Sequence, residues 1–260
     1  MSAELGFHVE IADCVAVLTI DRPKANAIDA ATSYAMGEAF VGFERDPAVR
    51  VVIVTGAGAR FFSAGWDLGA AAEGEAFDSD YGAGGFGGFP DLPNRTVPVI
   101  AAVNGMAVGG GFEIAMAAEL IVAADHATFF LPEAALGILP DAGSVRLPRL
   151  LPPHIAREVL LAGRRLTAAD GAQFGLINRV VPADELLLAA RELAGDVVAN
   201  APLSIAAILD IERRTAAMDA IEAMAAIRSF DSYRAAIDSQ DAVEGNASFA
   251  EKRRPIWTGR

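Results

Sequence analysis

The stretch Pro98-Val99-Ile100-Ala101-Ala102-Val103-Asn104-Gly105-Met106-Ala107-Val108-Gly109-Gly110-Gly111-Phe112-Glu113 decides how this chain is read. Val97 to Val103 is a continuous apolar run of strand length, as expected for a strand buried on both faces. It leads through a glycine turn into a helical pattern from about Gly110 to Ala118. Three glycines between a buried strand and a helix let backbone approach a ligand closely. They also leave unpaired N–H groups at the positive end of the helix. Such donors suit an anionic oxygen, either a phosphate or an oxyanion formed during reaction. Glu113 in the first turn argues against a resting phosphate, because two anions would share one pocket. It fits a carbonyl that becomes negative only in the transition state.

The same order recurs on either side. Residues 7–11 and 14–20 read as two strands with a turn at Ala12-Asp13, and Arg50 to Thr55 as a buried strand closed by Gly56-Ala57-Gly58. Asp29 is placed to cap a helix whose apolar face includes Met36, Phe40 and Phe43 and which Asp46-Pro47 ends. Leu120 to Ala123 and Thr128 to Leu131 are short strand patterns, and Pro132 suits the first turn of a further helix. Strand and helix alternate throughout, which predicts an α/β fold with a mostly parallel sheet. Residues 70–92 are rich in Gly, Asp and Phe, a loop that either faces substrate or serves as a linker. From Pro182 the pattern is helical, with Leu186, Ala190, Leu193 and Val197 in one stripe. The Ala-, Ile- and Met-rich run from Pro202 to about Tyr233 is expected to pack against another subunit.

Composition narrows the function. A formal charge of −13 over 260 residues argues against nucleic acid or an anionic membrane as the main partner. No signal-peptide pattern and no membrane span is legible. The lone Cys14 excludes an intrachain disulfide and a thiolate cluster, and His8, His126 and His154 lack metal-ligand spacing. No metal and no separate cofactor is therefore expected, and a reducing cytoplasmic location is. The only lysines, Lys24 and Lys252, lie at opposite ends of the chain and are candidate cations for a phosphorylated ligand. Val51 to Phe61 has a strand and a Gly-x-Gly, but Phe61 stands at the third glycine position of a dinucleotide motif. Glu133, in Leu131-Pro132-Glu133-Ala134, is a second carboxylate in apolar surroundings. Each glutamate alone reads as a helix-start carboxylate complementing a dipole. Together they suggest an acid/base pair with water or substrate between them.

Several motifs in order resemble the crotonase (enoyl-CoA hydratase/isomerase) superfamily. They are Phe62-Ser63-Ala64-Gly65-Trp66-Asp67-Leu68, Pro98 to Gly105, Gly109-Gly110-Gly111-Phe112-Glu113, Pro132-Glu133, Thr167 to Ala172 and Phe249-Ala250-Glu251-Lys252-Arg253. Within it, Asp21 to Ala30, Ala70 to Ala76, Asp241 to Gly245 and Trp257 to Arg260 most resemble the carnitinyl-CoA dehydratase branch. The resemblance implies a superhelix of ββα units, with a core over residues 1–200 and a helical C-terminal oligomerisation segment over 201–260 that builds a homotrimer or a hexamer. It implies a hydro-lyase that reversibly hydrates a 2,3-enoyl-CoA, crotonobetainyl-CoA to carnitinyl-CoA first among the candidates.

The resemblance further implies that Glu113 and Glu133 are catalytic and that the amides of Trp66 and Gly110 form the oxyanion hole. It implies that Lys24, Ala25, Ala64, Asp67, Leu68, Phe249 and Lys252 bind the coenzyme A of the acyl-CoA thioester substrate, the C-terminal pair reaching a neighbouring subunit's ligand. Where plain hydratases have a Gly-Ala-Gly-Gly turn, this chain has Pro140-Asp141-Ala142-Gly143-Ser144-Val145-Arg146, one residue shorter than the branch's own pattern. Asp141 is thus a candidate third acid, or else a plain helix N-cap. The rival readings are a generic short-chain enoyl-CoA hydratase, a Δ3,Δ2-enoyl-CoA isomerase using Asp141, and, least favoured, a non-catalytic acyl-CoA-binding protein. A cationic acyl group would need aromatic faces and carboxylates. Trp66, Tyr81, Phe86, Phe89 and Phe130 are candidates for the first, Asp80 and Asp141 for the second.

Overall fold

The computed structural model describes residues 5–260 and opens on a hairpin of β1 (Phe7–Ala12) and β2 (Val15–Ile20). Ala12 pairs with Val15, so the turn is Asp13-Cys14, one residue later than the pattern suggested, and both turn residues take positive φ. Two-residue loops of that handedness match the twist of the strands they join. Helix α1 (Ala30–Arg45) starts as expected, with the Asp29 carboxylate accepting from the Thr32 amide at 2.7 Å.

Three ββα turns follow. They are β3 (Val51–Gly56), β4 (Phe61–Ser63) and α2 (Leu68–Ala72), then β5 (Val99–Val103), β6 (Met106–Val108) and α3 (Gly110–Ala117), then β7 (Leu120–Ala124), β8 (Thr128–Phe130) and, after a single 3-10 turn Glu133–Leu136, α4 (Asp141–Leu150). The chain continues through α5 (Pro153–Ala162), β9 (Leu166–Thr167), α6 (Ala168–Gln173), β10 (Arg179–Val181) and α7 (Leu186–Val198). It ends in α8 (Pro202–Thr215), α9 (Ala220–Ala226), α10 (Asp231–Ile237) and α11 (Gln240–Glu251). The first strand of each ββα turn enters a six-stranded sheet ordered β1-β2-β3-β5-β7-β10. The second enters a four-stranded sheet ordered β4-β6-β8-β9. Pairing is parallel except for β1 with β2 and β8 with β9. This is the superhelix of ββα units expected from the motifs.

The step from β3 to β4 needs a bend whose peptide groups leave the ladders, and two asparagines satisfy them. The Asn104 amide donates to the Gly58 and Phe61 carbonyls while its oxygen accepts from the Gly56 amide. The buried Asn26 amide donates to the Ala57 and Phe61 carbonyls. Buried backbone polar groups need such partners, which is why an apolar run is broken by an asparagine there.

Alternation along the strands divides the interior. Val15, Val17, Val51, Ile53, Ile100, Ala102 and Val122 meet Leu186, Ala189, Ala190 and Ala194 of α7. Ala16, Leu18, Val52, Val54, Ala101 and Val103 face the larger core with Met36, Phe40, Phe112 and Phe129. Phe89, a candidate cavity wall in the sequence, is instead buried beneath Phe40 with ring centroids 4.7 Å apart. Pro132, expected inside a helix, stands at the N-cap of the one-turn 3-10 segment. Among the described residues no single helix is long and apolar enough to cross a membrane. In the C-terminal helices Ile208, Ile221, Met224, Ile237, Val243 and Phe249 remain exposed.

Phe40 is 2% exposed, packs edge-on against Phe43 and leans on Phe89. Phe40→Ala should therefore lower the unfolding free energy by about 3–5 kcal/mol, read from the denaturant midpoint.

Candidate active site

A cavity of about 840 Å³ opens between the start of α3, the link from β4 to α2, the segment 77–91 and residues 132–142. Two peptide N–H groups on its wall have no partner among the described residues. Trp66 bridges Ile28 in parallel register, with the Ile28 amide donating to the Gly65 carbonyl and the Asp67 amide to the Ile28 carbonyl. Peptide groups alternate along an extended segment, so the Trp66 N–H is turned away from Ile28. The Gly110 N–H, at the first position of α3, has no acceptor one turn earlier in the helix. Trp66 and Gly110 both line the cavity.

Glycine is what brings these two segments together. A Cβ on Gly65, itself at φ 79°, would lie 2.7 Å from the Gly110 nitrogen, and one on Gly111 would lie 2.2 Å from the Ser63 carbonyl oxygen. In the same triplet a Cβ on Gly109 would lie 2.7 Å from Glu133 Oε1, and one on Gly110 would lie 2.5 Å from the Phe86 ring. The glycines thus serve a close approach of backbone to backbone.

Both glutamates line the cavity. Burial pushes the Glu113 carboxyl up to about 7, and the Asp141 and Glu133 carboxylates add to the rise. The Gly143 amide, which donates to Glu113 Oε1 at 2.7 Å, and Arg146 oppose it. Glu133 is 7% exposed, and burial raises its pKa also, helped by Asp141 and opposed by a hydrogen bond from its own backbone amide. Its buried Oε2 has no hydrogen-bond partner among the described residues. Both carboxyl groups thus resist ionisation in one chamber, a feature that general acid/base chemistry uses.

Asp141 opens α4 and also lines the cavity, but Pro140 takes the N-cap position and gives no side-chain cap. The plain N-cap reading of Asp141 therefore fails: its Oδ1 accepts only from the neighbouring Ala142 amide. The rest of the wall comes from the glycine-rich segment. Phe77 meets Trp66 edge-on at 5.5 Å, Tyr81 meets Phe86 edge-on at 5.3 Å, and the Tyr81 hydroxyl donates to the Phe77 carbonyl. Burial and the Glu75, Asp141 and Asp78 carboxylates push the Tyr81 phenol up to about 12, so it stays a neutral donor. Phe130 does not join this wall; Arg165 stacks on it at 4.2 Å.

Of the residues expected to bind coenzyme A, Ala64, Asp67 and Leu68 line the cavity. Ala25 lies beside it, since its carbonyl accepts from the Ala64 amide, and Lys24 is exposed next to it. Phe249, 87% exposed, and Lys252 are not among this chain's cavity residues. Asp67 has a structural task as well, capping α2 and pairing with Arg22 at 3.3 Å. Sequence reasoning missed the Gly143 amide on Glu113 and the Glu75 carboxylate on the Trp66 indole, 2.7 Å from Nε1. The only signal for either was its place in a stretch already marked by the motifs.

Two amides without a partner among the described residues and two glutamates with raised pKa thus line one cavity. The enoyl-CoA hydratase/isomerase family matches residues 10–260, and the chain belongs to that family. It is a hydro-lyase of the enoyl-CoA hydration and dehydration type, acting on an acyl-CoA thioester. It is 57% identical over 245 residues to a carnitinyl-CoA dehydratase of Salmonella arizonae, covering 93% of this chain and 94% of that protein. Among solved structures it superposes on an enoyl-CoA hydratase from Mycobacterium tuberculosis H37Rv with TM-score 0.91 at 38% identity, covering 99% of this chain and 100% of that one. It also matches a carnitinyl-CoA hydratase from Mycobacterium avium with TM-score 0.75 at 39% identity, again over 99% and 100%.

The raised Glu113 pKa makes folding pH-dependent with a definite sign. Between the ordinary value of 4.5 and about 7 the folded chain holds a proton that the unfolded chain has released. Stability from this group is thus present at low pH and is lost as pH rises towards about 7. Denaturant titrations from pH 5 to pH 8 should show a downward slope, and Glu113→Gln should flatten it.

Proposed function

We propose that this enzyme interconverts crotonobetainyl-CoA and carnitinyl-CoA, with Glu113 and Glu133 as its acid/base pair and the Trp66 and Gly110 amides as its oxyanion hole. The observation that carries the substrate choice is the character of the cavity. Trp66, Phe77, Tyr81 and Phe86 supply aromatic faces, Asp80 and Asp141 supply charge, and no lysine, arginine or histidine is among the lining residues described. A trimethylammonium group donates no hydrogen bonds and is held by such faces and carboxylates. The names of the carnitinyl-CoA relatives support the same choice.

In the hydration direction, water lies between the two glutamates. Glu113 takes its proton as the oxygen adds to Cβ, and the electrons of the double bond move onto the thioester oxygen. The Trp66 and Gly110 amides stabilise that charge; losing one such donor costs about 3–4 kcal/mol of transition-state stabilisation. Glu133 then delivers a proton to Cα, and dehydration runs the same steps backwards. Asp141 acts as counter-ion to the ammonium, not as a proton carrier. Lys24, Ala25, Ala64, Asp67 and Leu68 hold the coenzyme A portion, which is part of the substrate. Residues 201–260 build a trimer, paired into a hexamer, in which Phe249 and Lys252 meet the ligand of a neighbouring subunit. The exposed apolar side chains of α8 to α11 support that assembly. A cytoplasmic location fits the lone cysteine and the coenzyme A thioester.

Turnover of crotonobetainyl-CoA and crotonyl-CoA, measured side by side, tests this reading. Wild type should prefer the cationic substrate, and Glu133→Gln should lower kcat by about 10²–10⁴-fold on both. Asp141→Asn should erode the preference for the cation. An equal loss on both substrates would instead make Asp141 part of the chemistry, as in an isomerase, and a preference for crotonyl-CoA would discard the carnitine assignment. Light scattering after size exclusion should give the mass of three or six chains; a monomer would overturn the assembly.

A further inference from the structure

Glu75 belongs to no element and is half-buried, yet both its oxygens are engaged by distant groups. Oε1 accepts from the Trp66 indole at 2.7 Å, and Oε2 accepts from the Ala30 amide at 3.0 Å, in the first turn of α1. We propose that Glu75 is a positioning residue that fixes Trp66, and with it the Trp66 oxyanion amide and the aromatic wall, to the start of α1. This rests on the reading of the Trp66 N–H as an oxyanion donor.

Trp66 is held from three sides. Ile28 takes the flanking peptide groups, Phe77 packs against the ring, and Glu75 holds the indole N–H. Only the last is a charge-assisted bond to the side chain, stronger and more directional than a neutral one. The bond spans nine positions in sequence, from Trp66 through the short helix α2 to Glu75, and the second oxygen ties that loop to α1. α1 is itself joined to the same region through Arg22, whose guanidinium meets Asp29 at 2.6 Å and Asp67 at 3.3 Å. Trp66 thus sits between two clamps, one on its side chain and one on the next residue. An oxyanion donor is effective because it is in place before the charge develops, so freedom at Trp66 subtracts from the transition state more than from ground-state binding. The Glu75 carboxylate also helps to raise the pKa of Tyr81 in the same wall.

A capping role alone would make the same bond to Ala30, so the test isolates the indole arm. Glu75→Ala, Trp66→Phe and the double variant are compared in kcat and KM, using whichever of crotonobetainyl-CoA or crotonyl-CoA the wild type turns over faster. Thermal stability is recorded for each. Glu75→Ala should lower kcat about tenfold or more with a smaller change in KM, as expected for a lost hydrogen bond to a charged group. The double variant should be little worse than the more affected single one, because both remove the same bond. Glu75→Gln, whose carbonyl can still accept from the indole, should recover part of the rate and serves in the same cycle should Glu75→Ala not fold. Fully multiplicative losses in the cycle, or a fall in stability with kcat unchanged, would overturn the proposal. Glu133→Gln run alongside separates the two readings: if it abolishes turnover while the Glu75 variants keep theirs, only the role of Glu75 is lost.

Discussion

Two stretches of backbone, Ser63 to Trp66 and Gly109 to Gly111, lie closer together than any Cβ would allow, and most of the site depends on that contact. A side chain at Gly65 or Gly111 would enter the opposite peptide. Because the contact is backbone on backbone, it cannot relax by rotamer change, and it fixes where both unpaired amides sit. The same triplet leaves room for the Glu133 carboxylate at Gly109 and for the Phe86 ring at Gly110. One structural requirement thus positions two amides, a glutamate and part of the cavity wall.

Around that contact the protein accepts an electrostatic cost. Glu113, Glu133 and Asp141 share one cavity, and each of the glutamates has its pKa raised by burial and by its neighbours. Burial that resists ionisation of the two glutamates costs stability, and perturbed groups of this kind cluster at functional sites. Other carboxylates are paired: Asp29 and Asp67 with Arg22, and Glu119 with Arg95 through two contacts of 2.7 and 2.6 Å.

How much was legible in the sequence depended on whether the signal was local. The strands and helices around the glycine triplet followed from apolar runs and their punctuation, and α1 followed from Asp29 and the spacing of Met36, Phe40 and Phe43. Where a residue's surroundings came from far along the chain, reading by pattern went astray. Phe89 and Phe130 lie in or near stretches with cavity-facing neighbours, yet one is buried under Phe40 and the other lies beneath Arg165. Asp141 read equally as a third acid or as a cap, and Pro140 in front of it takes the cap position.

The sequence by itself determined the alternation of long strands and helices, the two candidate glutamates and the glycine-lined turn, because periodicity, helix boundaries and glycine all act within a few residues; the three-residue strands β4 and β6 carry too short a pattern to be read that way. It also carried the family through motifs spread over nearly the whole chain. Only the tertiary structure decided that Gly65 meets Gly110, that the Gly143 amide rests on Glu113, and that Glu75 reaches both Trp66 and Ala30. Those contacts join residues up to 45 positions apart, and packing sets such pairs by bringing distant segments to one place. No local pattern records which of the many compatible partners a carboxylate or an amide will meet.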